Sequence, residues 1–126
     1  MSYLVDTNIM VDFTRGSVRS ADYLDSLGRD CFLSSITALE LIGGARSQRE
    51  VSDLEIVISA FEQIPPNGDI ARRAYYLMKT HAKSAGLQTL HSLIAATALE
   101  EGFGLVTKNR KHFQMIAGLK LVVPNY

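Results

Sequence analysis

Short apolar runs alternate along the chain with longer segments in which apolar residues recur every three or four positions. The runs predict strands at residues 3–5, 31–33, 104–107 and 119–123, with a weaker one at 61–64. Strands that are apolar throughout are typical of a parallel sheet covered on both faces. The longer segments predict helices at residues 17–27, 51–61, 70–82 and 89–101.

The alternation of strands and helices predicts the fold class. Parallel strands joined by helical crossovers form a layer of strands between two layers of helices. We therefore predict an α/β protein: a three-layer α/β/α sandwich with a central, mostly parallel sheet of four or five strands. The chain has 126 residues, which suits one domain over residues 1–126.

The composition indicates the cellular compartment of the protein but says little about its function. Thirteen basic and thirteen acidic residues cancel, so an anionic partner has to be attracted by a local patch or a bound cation. The single cysteine, Cys31, cannot form an internal disulfide. The chain shows neither a signal-peptide pattern nor an apolar run of membrane-spanning length. We expect a cytoplasmic protein.

Polar side chains that are far apart in sequence follow the predicted strands or begin the helices after them. Ligands in open α/β sheets bind beyond the carboxyl ends of the strands. Asp6 ends the first strand, Glu40 lies on the helix after the second, Asn109 follows the strand at 104–107, and His91 begins a helix. We expect these four to converge, where a Mg²⁺ or Mn²⁺ ion would relieve the repulsion between carboxylates.

Each candidate also has a purely structural interpretation. Asp6 before Thr7 and Asn8 suits a helix cap as well as a metal ligand. The segment from Thr37 to Glu40 fits a capping box, which taken alone is the favoured interpretation of Glu40. A histidine near a helix N-terminus, such as His91, is more often solvated or hydrogen-bonded than a ligand.

Basic and aromatic residues offer candidate contacts to a polyanion. Lys108, Arg110 and Lys111 follow Thr107 and either grip a phosphate backbone or form an ordinary solvated turn. The adjacent tyrosines at positions 75 and 76 can stack on unpaired bases, although core packing is favoured for at least one of them.

Four segments occur in an order that carries a family resemblance: VDTN at 5–8, SITALEL at 35–41, SLIAATAL at 92–99 and TKNRKHF at 107–113. The set resembles the PIN-domain ribonucleases, specifically the VapC-like toxins of toxin–antitoxin pairs. The resemblance implies an α/β/α fold and hydrolysis of RNA with Mg²⁺ or Mn²⁺. It also implies a homodimer and inhibition by a cognate VapB-like antitoxin whose tail fills the active-site groove.

The resemblance assigns roles to single residues. It implies that Asp6 and Glu40 are metal ligands. It further implies that Thr7, Asn8, Thr107 and Asn109 hold the acids or approach the scissile phosphate.

Two positions depart from the family pattern. His91 stands where the family usually has an aspartate, and His112 stands where an acid is frequent. A neutral imidazole can bind a metal without adding negative charge, and it suits Mn²⁺ better than Mg²⁺. We expect a site formed by Asp6, Glu40 and His91 that binds metal weakly.

Two other functions remain open at this point. One is a catalytically silent PIN-like module that binds an antitoxin or RNA. The other is a phosphoacceptor domain in which Asp6 is the nucleophile and Lys108 its partner, but this class needs further acidic residues beside the acceptor, which the sequence does not supply there.

Overall fold

The apolar runs of the sequence form one parallel sheet. The computed structural model describes residues 1–28 and 30–126. The strands are β1 Tyr3–Val5, β2 Cys31–Ser34, β3 Glu62–Ile64, β4 Gly104–Val106 and β5 Leu121–Val122. They lie in the order β3-β2-β1-β4-β5, and every neighbouring pair is parallel. The predicted parallel sheet is confirmed, with the weak run at 61–64 as an edge strand.

Helices cover the sheet. They are α1 Thr7–Thr14, α2 Val18–Leu27, α3 Ser35–Gly43, α4 Gln48–Ser59, α5 Gly68–Ala85 and α6 Thr89–Glu101, with a short 3₁₀ helix at Arg110–His112. The predicted bounds of α6 match the structure, and Gly102 ends it in a left-handed conformation with φ 71°. The helix predicted at 51–61 begins earlier, because the Ser47 hydroxyl caps it by accepting a hydrogen bond from the Glu50 N–H.

Alternate residues of the central strands face two separate cores. Leu4 and Leu105 point toward a core shared with α5 and α6. Val5 and Val106 point toward a second core, to which α1, α2, α3 and α4 contribute. The side chains of a strand alternate between its faces, so one sheet separates two helical layers. This is the predicted three-layer sandwich.

The shared direction of the strands positions the candidate site. Asp6 follows β1, Ser34 is the last residue of β2, and Thr107 follows β4. Because these strands are parallel neighbours, the three positions meet at one edge of the sheet. In the described part of the chain, no helix is long and apolar enough to cross a membrane.

The first prediction tests the two-core packing. Leu33 in β2 is fully buried, whereas Leu39 in α3 is 67% exposed. We expect Leu33→Ala to lower the free energy of unfolding by about 2–5 kcal/mol, because it leaves a cavity. Leu39→Ala should change it by less than about 0.5 kcal/mol. Urea denaturation measures both, and equal losses would contradict the packing described.

Candidate active site

Asp6 is a buried carboxylate with a defined partner on each oxygen. Only 3% of the residue is exposed. It is the N-cap of α1, and its Oδ1 accepts a hydrogen bond from the Thr7 N–H at 2.8 Å. Its Oδ2 accepts from the Thr107 hydroxyl at 2.8 Å. The capping interpretation is therefore correct for one oxygen, while the other is held by the residue that follows the neighbouring strand.

Opposing effects act on the pKa of Asp6, and burial is the largest. Burial raises the pKa, whereas the hydrogen bonds from Thr107 and Thr7 and the charge of His91 lower it. The nearby Glu40 raises it further, and the pKa is raised overall. A buried carboxylate with a raised pKa favours a bound cation, which stabilises the ionised form.

Thr107 connects strand β4 to helix α1. While its hydroxyl donates to Asp6, the same oxygen accepts from the Asn109 N–H at 3.0 Å and from Asn8 Nδ2 at 3.3 Å. The Lys108 N–H in turn donates to Asn8 Oδ1 at 3.4 Å. One donor and two acceptor positions exhaust the capacity of a hydroxyl. Asn8 and Thr107, which the resemblance places near the acids, are thus linked to Asp6 by hydrogen bonds, and Asn109 joins them through its backbone N–H.

Glu40 reaches the same edge of the sheet from α3, where it bonds to Thr7, and the capping-box interpretation of it is wrong. Helix α3 begins earlier, where the Ser34 hydroxyl caps it by accepting from the Ile36 N–H. Glu40 Oε1 instead accepts a hydrogen bond from the Thr7 hydroxyl at 2.7 Å. The buried Thr37 hydroxyl lies 3.1 Å from that of Thr7. Thr7 therefore links the two candidate acids, through its N–H to Asp6 and its hydroxyl to Glu40.

His91 is the third residue of α6 and stacks on another histidine. The ring centroids of His91 and His112 are 4.4 Å apart with an interplanar angle of 29°, and Phe113 packs edge-on at 5.3 Å. Burial lowers the pKa of His91, as does the charge of His112, while the charges of Asp6 and Glu40 raise it. The pKa is lowered overall, so the imidazole is neutral near pH 7. A neutral imidazole is the form that binds metals.

The basic residues after Thr107 differ in their surroundings. Lys108 Nζ forms an ion pair with Asp12 Oδ2 at 2.6 Å and lies 5.3 Å from the centroid of the Tyr126 ring. Arg110 and Lys111 are exposed. The charge of Lys108 is thus partly neutralised, whereas the other two face solvent.

The expected burial of at least one tyrosine of the adjacent pair is wrong. Tyr75 is 70% exposed and Tyr76 is 61% exposed. Helix α5 directs Ile70, Ala74 and Leu77 toward the core, and the two tyrosines fall on the opposite side of the helix.

The donor set at this edge fits a hard divalent cation only in part. Asp6 and Glu40 offer carboxylate oxygens, and neither pairs with a lysine or arginine among the described residues. Within residues 1–28 and 30–126, no group of three or more His, Cys, Asp or Glu side chains is arranged to hold a metal. Mg²⁺ is commonly held by one or two carboxylates and keeps several waters, so two carboxylates suffice for a weak site.

Two features of this region are not predicted by the sequence patterns. The capping-box pattern places Thr37 at a helix cap, whereas its buried hydroxyl lies beside Thr7. The stacking of His112 on His91 is the second feature. The burial of Thr37 could be inferred from the sequence, because it is a polar residue in a largely apolar helix. The stacking of His112 could not, because that contact joins two segments that are distant in sequence.

The fold and this pocket define an α/β/α protein with an acidic site at the carboxyl edge of its sheet. A family model described as PIN domain matches residues 3–119. The chain belongs to the PIN domain family. It is 37% identical over 122 residues to Ribonuclease VapC10 of Mycobacterium tuberculosis, with 93% of this chain and 90% of that protein covered. It is 35% identical to Ribonuclease VapC19 of the same species, with 93% and 96% covered.

Solved structures agree with this assignment. The chain resembles a toxin–antitoxin complex from Klebsiella pneumoniae at 30% identity and a TM-score of 0.81, covering 94% of this chain and 95% of that one. It also resembles a crystal structure of VapBC2 from Rickettsia felis, at 27% identity and a TM-score of 0.85. In that structure VapBC2 is bound to a DNA fragment from its own promoter. That match covers 99% of this chain and 100% of the other.

The second prediction tests the hydrogen bond between Thr107 and Asp6. We expect Thr107→Val to lower the free energy of unfolding by about 1–3 kcal/mol at neutral pH, because Oδ2 loses its buried donor. The loss should shrink on acidification. A carboxyl group whose folded pKa is raised stabilises the fold below its unfolded pKa and loses that contribution as pH rises through the folded pKa. The variant raises the pKa of Asp6 further.

Urea denaturation across acidic to neutral pH measures this effect. Thr80→Val is the matched control, because the exposed Thr80 hydroxyl bonds to the Tyr76 carbonyl of its own helix and to no other described residue. A loss in Thr107→Val that is independent of pH would contradict the role assigned to Asp6.

Proposed function

We propose that this protein is a metal-dependent endoribonuclease and the toxin of a toxin–antitoxin pair. The observation that carries the proposal is Asp6, a 3% exposed carboxylate at the carboxyl edge of the sheet with Glu40 nearby. Two relatives that share more than a third of their residues with the chain are named ribonucleases. The solved toxin–antitoxin complex from Klebsiella pneumoniae supports the same function.

In this proposal Asp6 and Glu40 would hold a Mg²⁺ or Mn²⁺ ion. Such an ion, when bound, lowers the pKa of water and neutralises charge on a phosphate. Thr107 and the Thr7 N–H keep the Asp6 carboxylate oriented, each at 2.8 Å. The Thr7 hydroxyl does the same for Glu40 at 2.7 Å. The chain's own contribution is therefore two oriented carboxylates.

The residues around the acids are the proposed substrate contacts. Asn8 and Asn109 lie at the exit of β1 and β4, and Arg110 and Lys111 are exposed beside them. Exposed cations at this edge suit the phosphates of RNA. Lys108 contributes less to RNA binding in this proposal, because its ammonium group already forms an ion pair with Asp12 at 2.6 Å.

Asp6, Glu40 and His91 do not form a ready-made three-residue metal site in the described part of the chain, but we propose His91 as a third ligand that sets metal preference once an ion is held by the two acids. It lies close enough to Asp6 and Glu40 for their charges to affect its pKa. Imidazole suits Mn²⁺ better than Mg²⁺. Since a protonated imidazole cannot bind a metal, affinity for Mn²⁺ should fall as pH drops through the lowered pKa of His91.

A groove beside Glu40 is the proposed binding site of a VapB-like antitoxin. The groove has a volume of ≈ 610 Å³ and is open to solvent. Its lining combines the apolar Leu41 and Leu54 with charges of both signs: Glu40, Glu50, Asp53, Arg15 and Arg46. Arg46 pairs with Glu50 at 3.4 Å, so an amphipathic segment with an apolar face and a basic side chain directed at Glu40 or Asp53 complements this surface. A segment seated there would reach Glu40 and block the acidic pocket.

The remaining proposals concern the form of the protein. We propose that residues 1–126 act as one PIN-like domain, that two copies form a homodimer, and that the protein works in the cytoplasm, where its RNA substrate is. The alternative of a catalytically silent module is less well supported, because Asp6 and Glu40 are both in place.

The third prediction concerns RNA cleavage. Purified protein incubated with structured RNAs should cleave them with Mn²⁺ and lose activity when EDTA removes the metal. Asp6→Asn should lower the cleavage rate by about 100-fold or more, a loss typical of removing a strong transition-state stabiliser. Asp22→Asn is the matched control, because Asp22 is exposed on α2, and should leave the rate unchanged.

Two outcomes would decide between the enzyme and the silent module. Cleavage that persists at full rate in Asp6→Asn would show that the activity arises from another source. Cleavage that appears only after His91→Asp would favour the silent module.

The fourth prediction concerns metal preference. His91→Asp should strengthen Mg²⁺ binding by about tenfold, or ~1.4 kcal/mol, because it replaces an imidazole with a charged oxygen ligand. His91→Asn offers an oxygen without the charge and should give a smaller gain. Isothermal titration calorimetry, with Mg²⁺ and with Mn²⁺ in separate titrations, measures the affinity of both variants. Unchanged Mg²⁺ affinity in His91→Asp would place His91 outside the metal site.

A further inference from the structure

One face of helix α5 carries cations and an aromatic ring in a single row. Arg72, Tyr76, Lys79 and Lys83 are spaced four, three and four residues apart, so they stand above one another on the helix surface. We call these four residues the α5 stripe. All four are exposed, with 61% of Tyr76 accessible. Packing within the chain does not explain why a tyrosine stands there.

The α5 stripe is locally basic although the chain as a whole is neutral. Arg72 pairs with Asp69 at 2.7 Å, with both side chains well exposed. Neither Lys79 nor Lys83 pairs with a carboxylate in residues 1–28 and 30–126. The row extends about 16 Å along the helix axis at ~1.5 Å per residue. A linear array of cations of that length complements a linear polyanion.

The C-terminal end of the α5 stripe is close in sequence to His91 of the candidate active site. Only Gly86, Leu87 and Gln88 separate α5 from α6, and the Leu87 N–H donates to the His81 carbonyl at 3.3 Å. His91 follows in the first turn of α6, where it stacks on His112. Lys83 is thus the stripe residue nearest in sequence to the pocket, and the row leads away from it.

We propose that the α5 stripe binds single-stranded RNA on the way to or from the acidic pocket, with Lys79 and Lys83 on phosphates and Tyr76 stacked on an unpaired base. This inference rests on the proposed ribonuclease function for the identity of the polymer. Cations that track a backbone and aromatic rings that stack on successive bases are how proteins bind single strands. Tyr75, 70% exposed one residue earlier, offers a second ring beside the row.

A second copy of the chain is a poorer occupant of this face. In a two-fold symmetric dimer the same patch meets itself. Two α5 stripes facing each other would bring their lysines and arginines together without acidic partners. Like charges placed opposite one another weaken an interface.

Fluorescence anisotropy with a short, labelled, single-stranded RNA of mixed sequence tests the inference. The protein is kept in EDTA, so that no cleavage occurs and the metal does not contribute to binding. We expect Lys79→Gln/Lys83→Gln to weaken binding and to reduce the slope of log affinity against log salt by about 1.4, or ~0.7 for each phosphate that is no longer neutralised. Arg19→Gln/Arg49→Gln removes two exposed cations from α2 and α4, in the opposite layer, and should change neither quantity.

Two substitutions of Tyr76 test whether its ring stacks on a base. Tyr76→Ala should weaken binding by about tenfold, while Tyr76→Phe, which keeps the stacking surface, should bind as the wild type does. Annealing the RNA to its complement hides the base faces, so the difference between Tyr76→Ala and wild type should disappear on the duplex.

Three results would overturn the proposal. They are no binding of the single strand by the wild type, equal binding by the double-lysine variant and wild type, and a change of oligomeric state in the stripe variants by light scattering. The last would make this face a subunit interface. Cleavage by the wild type in Mn²⁺ is scored separately, so the ribonuclease function can fail or stand independently of the stripe.

Discussion

The candidate site depends on the hydrogen bond between the Thr107 hydroxyl and Asp6. This bond ties the residue that leaves β4 to the residue that leaves β1, at 2.8 Å and out of contact with solvent. The second Asp6 oxygen caps α1. Burying a carboxylate without hydrogen bonds costs free energy. The two hydrogen bonds hold the Asp6 carboxylate in place, but neither donor is positively charged. The negative charge of Asp6 can therefore be neutralised by a divalent cation.

The parallel sheet explains why this arrangement forms. Because β1, β2 and β4 run in one direction, the residues after each strand meet at one edge. Thr7 then uses its N–H for Asp6 and its hydroxyl for Glu40, so a single residue orients both acids. His91 comes from a helix of the opposite layer and is supported by stacking on His112. Both layers of the sandwich therefore contribute to one pocket.

Much of this can be predicted from the sequence, and the failures have physical causes. The apolar runs and helical periodicity predict the sheet and its layers, because burial on two faces requires them. The expected convergence of Asp6, Glu40, His91 and Asn109 follows from the shared direction of parallel strands. The structure brings the first three close enough for charge to act between them, while Asn109 contributes a backbone N–H to Thr107. The capping-box interpretation of Glu40 fails because Ser34, at the end of β2, already caps α3. The expected burial of an α5 tyrosine fails because Ile70, Ala74 and Leu77 form the buried face of the helix, and both tyrosines fall on its opposite side.

The central claim is that Asp6 and Glu40 together hold a divalent cation. The most direct measurement is a crystal structure of the protein soaked in Mn²⁺, with anomalous diffraction to locate the metal. We predict an anomalous peak between the carboxylates of Asp6 and Glu40, with His91 at its side. Either no peak at saturating Mn²⁺ or a peak that involves neither carboxylate would contradict it.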